Sequence, residues 1–276
     1  MTDAAAPQTP RVTVDIDDHG VATVRMCDEA GRNAFSRGFV DELVAALNSL
    51  GSAGSAGGTE VKVAVICGLP EVFSAGGDRS VLMGLAEGDV APYDLLLTRS
   101  LLDVPVPTVA AMAGHAIGGG LVFGAACDIL VMGASSRYAC NFMDMGFTPG
   151  MGTTRLLQTA LGEHIAAEMM YGCQYFKGKH FQGRSLVNYI EPNEKVEARA
   201  HKVAMRMTDK PRFALELLKR NLALPRRQAF EEARTAESLM HEICFSNPET
   251  LARIRDNYTP IPGDAAAGGG EDNEPT

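Results

Sequence analysis

The chain has 276 residues, 46% of them hydrophobic and 21% charged, a balance that supports a sizeable buried core and excludes wholesale disorder. With 25 basic against 34 acidic residues the formal charge is −9, which argues against a nucleic-acid binder that works through a basic face. Six cysteines without CxxC or zinc-type spacing point to thiols in a reducing cytoplasm, and no apolar run reaches the length of a membrane span. Residues 1–10 have no charged-then-apolar leader pattern, so the expectation is a cytoplasmic protein with neither nucleic acid nor membrane as partner.

Residues 1–10 and 261–276 are rich in Ala, Pro, Gly and acidic side chains and read as disordered tails. Val12, Val14 and Ile16 alternate, Asp18-His19-Gly20 makes a turn, and Val21, Ala22, Val24 and Met26 follow, so two strands are predicted. Phe39, Leu43, Leu47 and Leu50 then form the apolar stripe of a helix with Ser36 placed to cap it. A Gly/Ser/Ala loop at 51–58 leads to a nearly continuous apolar strand at 61–67, the pattern of a sheet buried on both faces.

Three glycine turns follow. FSAGGD at 73–78 comes directly after the strand, and 79–104 reads as helix or loop broken by Gly84, Gly88 and Pro92, a candidate cover over a pocket. The second turn, GHAIGGG at 114–120, joins a β-branched apolar strand to an apolar helix. Glycine there lets the backbone bend sharply and leaves N–H groups open to an approaching oxygen. A strand at 129–132, a short strand at 137–142 and the third turn, GFTPGMG at 146–152, come next, the last opening a helix through Leu161. Two or three helices are expected over 163–172 and 195–256, with Ala233, Leu239, Met240, Ile243 and Cys244 on one apolar face. Strand–helix alternation up to about 190 with helices beyond it predicts an α/β core, 11–195, and a helical C-terminal region, 196–260.

Taken together, and in this order and spacing, the three turns resemble the crotonase family, the enoyl-CoA hydratase/isomerase superfamily. The resemblance spans nearly all of 11–258 and implies a crotonase-like spiral of ββα units with C-terminal helices, assembled as a homotrimer or a pair of trimers. It implies no cofactor, and a thioester carbonyl held during enolate formation by the N–H groups of Gly77 and Gly119. Hydratases of the family place glutamates at positions that are Val122 and Phe142 here, and neither can transfer a proton. The segment 141–157 with MHEICF at 240–245 is similar to the decarboxylating crotonase-like enzymes of polyketide β-branching, which act on a 3-methylglutaconyl-type thioester of an acyl carrier protein.

On that resemblance His241 is the catalytic acid or the group that positions the leaving carboxylate, and a histidine titrates near neutrality. Val122, Phe142, Met143 and Phe147 would line an apolar pocket, with Asn141 against the acyl chain; they are also ordinary core residues. Some members carry a lysine on the helix after the first glycine turn. None lies between Gly77 and Leu102, so Arg79 is the nearest cation for the substrate carboxylate, and Tyr93 is a weaker polar candidate. His115 reads as structural. Arg32 and Arg37 lie where relatives meet the nucleotide of CoA, and the choice between CoA and carrier protein stays open. The alternatives are a hydratase or dehydratase, one combining dehydration with decarboxylation included, or an isomerase, with Asp144, Asp78 or His241 as base, and a binding or scaffold protein that has lost catalysis.

Overall fold

β1 (Val12–Ile16) and β2 (Val21–Met26) pair as an antiparallel hairpin in the register Val14↔Val24, and Asp17 Oδ1 closes its turn by accepting from the backbone N–H groups of His19 and Val21. This computed structural model describes residues 9–52, 58–89 and 94–258. The expected tail at 261–276, most of that at 1–10, most of the 51–58 loop and Tyr93 lie outside the described residues. After the hairpin come β3 (Ala34–Phe35), α1 (Arg37–Ser52), β4 (Val63–Cys67), β5 (Val72–Ser74), β6 (Gly76–Gly77), α2 (Arg79–Glu87) and α3 (Asp94–Leu102). β7 (Thr108–Met112), β8 (His115–Ile117), α4 (Gly119–Ala125), β9 (Ile129–Gly133) and β10 (Arg137–Ala139) follow. The chain continues through α5 (Thr153–Leu161), α6 (Glu163–Gly172), β11 (Phe176–Lys177), β12 (Tyr189–Glu191), α7 (Val196–Met205), α8 (Arg212–Leu222), α9 (Leu224–Phe245) and α10 (Pro248–Asn257).

The main sheet has the order β1-β2-β4-β7-β9-β12, parallel from β2 onward. Period-two alternation sends Ala64, Ile66, Ala110 and Met112 to a core shared with Phe39, Leu43 and Leu47 of α1. Val63, Val65, Val109 and Ala111 go to the opposite face, against Val196, Ala200 and Val203 of α7. Both faces are covered, which is why β4 and β7 are buried at every position. A second sheet, β11-β10-β8-β5, and a two-residue parallel pair, β3-β6, turn the chain between successive units.

Two details differ from the sequence reading. The strand predicted at 137–142 stops at Ala139, whose carbonyl accepts from Gly118 N at 2.8 Å; Phe142 is already helical at φ −60°, ψ −43° and leads into a short 3-10 turn at Met143–Met145. Among the described residues five α-helices follow α5, rather than two or three, with prolines in the first turns of α9 and α10 where their missing N–H costs nothing. The apolar face expected on α9 is split as well. Ala233 is buried, whereas Leu239 and Ile243 are 61% and 74% exposed, because the inward stripe runs through Ala233, Glu237 and His241.

A buried ion cluster ties the C-terminal helices to the core. Asp128, immediately before β9, accepts from Thr108 N at 2.8 Å and Lys219 Nζ at 2.5 Å and pairs with the Arg226 guanidinium. Burial alone would raise the Asp128 carboxyl, but the Lys219 and Arg226 charges outweigh it and hold the group below its ordinary value. The cluster therefore contributes its full stability above the unfolded-state value of about 3.9 and loses it as pH falls through the lower folded-state value. Asp128→Asn is expected to cost on the order of 3 kcal/mol at neutral pH by leaving buried cations uncompensated. Thermal unfolding at pH 7 and in acid should show the variant losing less further stability below about pH 4 than the parent does.

Candidate active site

The first two glycine turns meet backbone to backbone. Gly76 and Gly118 have φ of 83° and 52°, in the region that disfavours a side chain. A Cβ on Gly76 would run into the Ile117 carbonyl and lie 3.3 Å from the Gly119 nitrogen, and one on Gly120 would sit 2.6 Å from the Ser74 carbonyl oxygen. Ser74 is fully buried and its hydroxyl donates to Asn33 O at 2.7 Å, which fixes the first turn from below. Gly119 is the first residue of α4, so its N–H has no carbonyl four residues back in the helix to bond. Gly77 ends β6 opposite Phe35 of β3, and its carbonyl accepts from the Tyr258 hydroxyl at 2.8 Å. Burial pushes the Tyr258 hydroxyl up to about 12, so it stays a donor at neutral pH.

Asn141 and Phe142 lie over the second turn: the Cβ position of Gly118 is 3.3 Å from Asn141 Oδ1 and 3.7 Å from Phe142 Cζ. Asn141 is buried, and its Nδ2 donates to the Tyr175 hydroxyl at 3.2 Å, which places a polar pair beside an otherwise apolar turn. Burial raises the Tyr175 hydroxyl, opposed by the Asn141 bond. Val122 exposes no surface and packs in the core.

His241 sits on the third turn. Its ring lies against Gly150, whose Cβ would come 2.6 Å from Cε1, and Nε2 is 2.8 Å from the Thr148 carbonyl. A carbonyl only accepts, so Nε2 carries the proton and Nδ1 is the nitrogen left to exchange one. Phe147 stands edge-on to both Phe142 and His241, at 5.9 and 6.0 Å between ring centroids, and so spans the second turn and the histidine. Met151 is a second bridge. Its Sδ lies 2.5 Å from where a Cβ on Gly119 would be, and it holds φ 63°, a conformation that costs a non-glycine residue about 1 kcal/mol.

Arg79, Asp78, Asp144 and His115 have other partners. Arg79 turns to α10, where Nη2 donates to Arg255 O at 2.9 Å, rather than to the glycine turns. Asp78 caps α2, its Oδ1 accepting from Ser80 and Val81 N–H. Asp144 is exposed, and its carboxyl is raised by partial burial, with a Cys173 hydrogen bond and Arg253 opposing. His115 Nδ1 accepts from Arg137 N at 2.9 Å, tying β8 to β10, and burial lowers its basicity. Sequence reasoning missed Tyr175, Tyr258, Met151 and Glu237. Only Glu237 carried a signal, since it stands four residues, one helical turn, before His241.

Comparison with known proteins identifies the class. Residues 17–253 match the enoyl-CoA hydratase/isomerase family, and the chain belongs to it. Within that family it is 32% identical over 241 residues to the bacillaene synthase decarboxylase PksI of Bacillus subtilis, covering 87% of this chain and 95% of that protein. Among solved structures it resembles the ECH2 decarboxylase domain of CurF from Lyngbya majuscula, with a TM-score of 0.83 and 31% identity over 91% of this chain and all of that one. It is equally similar to a protein of a dehydratase/decarboxylase enzyme couple involved in polyketide β-branching, at a TM-score of 0.84 and 30% identity over 90% of this chain and 99% of that one. The fold is thus crotonase-like, and the similarity to decarboxylases runs the length of the domain.

Gly76→Ala should separate the first two turns, because it adds a Cβ against the Ile117 carbonyl at a positive φ. The expected result is a loss of about 2 kcal/mol or more in stability, read by thermal unfolding, together with loss of thioester turnover.

Proposed function

We propose that this enzyme decarboxylates a 3-methylglutaconyl-type acyl thioester carried on an acyl carrier protein, in the formation of β-alkyl branches on polyketides. The observation that carries the reading is the meeting of the Gly76–Gly77 and Gly118–Gly120 turns, roofed by Phe142 and backed by Val122 where water-handling carboxylates would otherwise stand. Breaking the bond to the carboxylate releases CO₂ and leaves its electron pair conjugated into the thioester as a dienolate. The Gly77 and Gly119 N–H groups are proposed to hold that oxygen, each such donor contributing roughly 3–4 kcal/mol to the transition state. Apolar surroundings favour the step, since a carboxylate leaving water for Phe142 and Phe147 loses the hydration that stabilised it. Asn141 and Tyr175 would orient the acyl chain, and His241 would return a proton to carbon or hold the departing carboxylate.

The subunits are proposed to assemble as trimers in the cytoplasm. Phe213 and Leu217, one turn apart on α8, and Leu239 and Ile243, one turn apart on α9, are exposed apolar pairs that assembly would cover. All six cysteines are free thiols, which suits a reducing compartment. No helix among the described residues is long and apolar enough to cross a membrane.

Purified enzyme incubated with 3-methylglutaconyl carrier protein should lower the carrier's mass by one CO₂, with no mass change on a saturated analogue. Loss of water from the 3-hydroxy-3-methylglutaryl carrier would replace this reading with a dehydratase. His241→Ala is expected to reduce kcat by about 100-fold or more, whereas Arg79→Ala should leave it within about twofold, Arg79 being bound to α10. Light scattering at micromolar concentration should give the mass of three chains or six; a monomer would rule out the assembly.

A further inference from the structure

Glu237 is the most enclosed acidic side chain near the site, 1% exposed on α9. Its Oε2 accepts from Gly152 N at 2.7 Å, and its Oε1 from Thr154 N and Thr154 Oγ1 at 2.8 Å each. A buried carboxylate is an expensive way to join two helices, and apolar contact already joins these: Gly152 has no room for a Cβ because Phe230 of α9 lies 2.6 Å from that position. What the carboxylate adds is direction. It draws the amides of Gly152 and Thr154 to one point and so fixes the residue between Gly150 and Gly152. That residue is Met151, held at φ 63° with its sulphur on Gly119. One turn along the same face of α9, His241 presses on Gly150 and binds Thr148 O.

We propose that Glu237 is a positioning residue for catalysis: through the start of α5 it holds the Met151 sulphur on Gly119 and the His241 ring on Gly150 in one fixed relation. The inference deepens the decarboxylase reading and rests on it for the reaction, but not for the geometry. Thr250 secures the other end of the same turn, its hydroxyl bonding Gly146 O at 2.9 Å, so displacement at Glu237 is taken up between 148 and 154, where the site residues lie.

Glu237→Gln preserves shape but sets an NH₂ group against one of the N–H donors. Expected is a fall in kcat of about 10- to 100-fold with KM within about twofold, the pattern of a misplaced group rather than a lost binding contact. The titration midpoint of the His241 ring, followed by NMR without substrate, should move in the same variant. Lys219→Met is the control: it loosens the C-terminal helices at Asp128, away from the turn, and should lower thermal stability with both kcat per folded molecule and the His241 titration unchanged. Thr154→Val is the second variant, should Glu237→Gln not fold. It removes only the hydroxyl bond and should give a smaller kcat loss and His241 shift in the same direction. Parental kcat and an unmoved His241 titration in folded Glu237→Gln or Thr154→Val would overturn the proposal. A parent enzyme that decarboxylates no thioester would instead overturn the reaction, leaving the His241 titration to decide the positioning role.

Discussion

The structure depends on one close approach. Ser74–Gly77 and Gly118–Gly120 run against each other with backbone atoms in contact, and Gly76 and Gly120 are sites where even a methyl group would collide with a carbonyl. Removing side chains from both turns brings two chain segments nearer than ordinary packing permits. The parallel sheet serves this contact. β4 and β7 deliver the two turns from adjacent strands, and the second sheet pairs β5 with β8 so that the turns leave side by side.

Around that contact the enzyme is apolar where a hydrating relative would be charged. Phe142 closes over Gly118, Val122 is sealed in the core, and Phe147 connects Phe142 to His241. The polar groups that remain are few and are held by neighbours: Asn141 by Tyr175, the Gly77 carbonyl by Tyr258, His241 by the Thr148 carbonyl. Such surroundings are what the proposed decarboxylation calls for, since it needs no water.

The C-terminal helices do more than cover the core. α9 supplies both Glu237 and His241 to the third glycine turn, α10 supplies Thr250 to its other end, and Tyr258 reaches back to the first turn. The Asp128 cluster then holds α8 and α9 on the sheet. The third turn is thus specified mainly from a part of the chain some eighty residues away in sequence.

The hairpin at 12–26, the doubly buried strands and the three turns were legible because each is local: alternation, a β-branched run and a glycine cluster are all written in adjacent residues. The absence of carboxylates at 122 and 142 could be read in the same way, from spacing to a glycine motif. The C-terminal half was less legible. Leu239 and Ile243 share an apolar look with Ala233, and only the packing of α9 sets one face inward and leaves the other exposed. Arg79 looked available because sequence does not show that α10 returns to accept its hydrogen bond. Met151, Tyr175 and Tyr258 carried no signal, since each acts through a contact with a residue far along the chain. By itself, then, the sequence determined the family, the order of the units and where the backbone must bend, because glycine content and apolar periodicity act through neighbouring residues. Only the tertiary structure decided which side chains stand at the turns, because those hydrogen bonds and contacts exist once distant segments have been brought together.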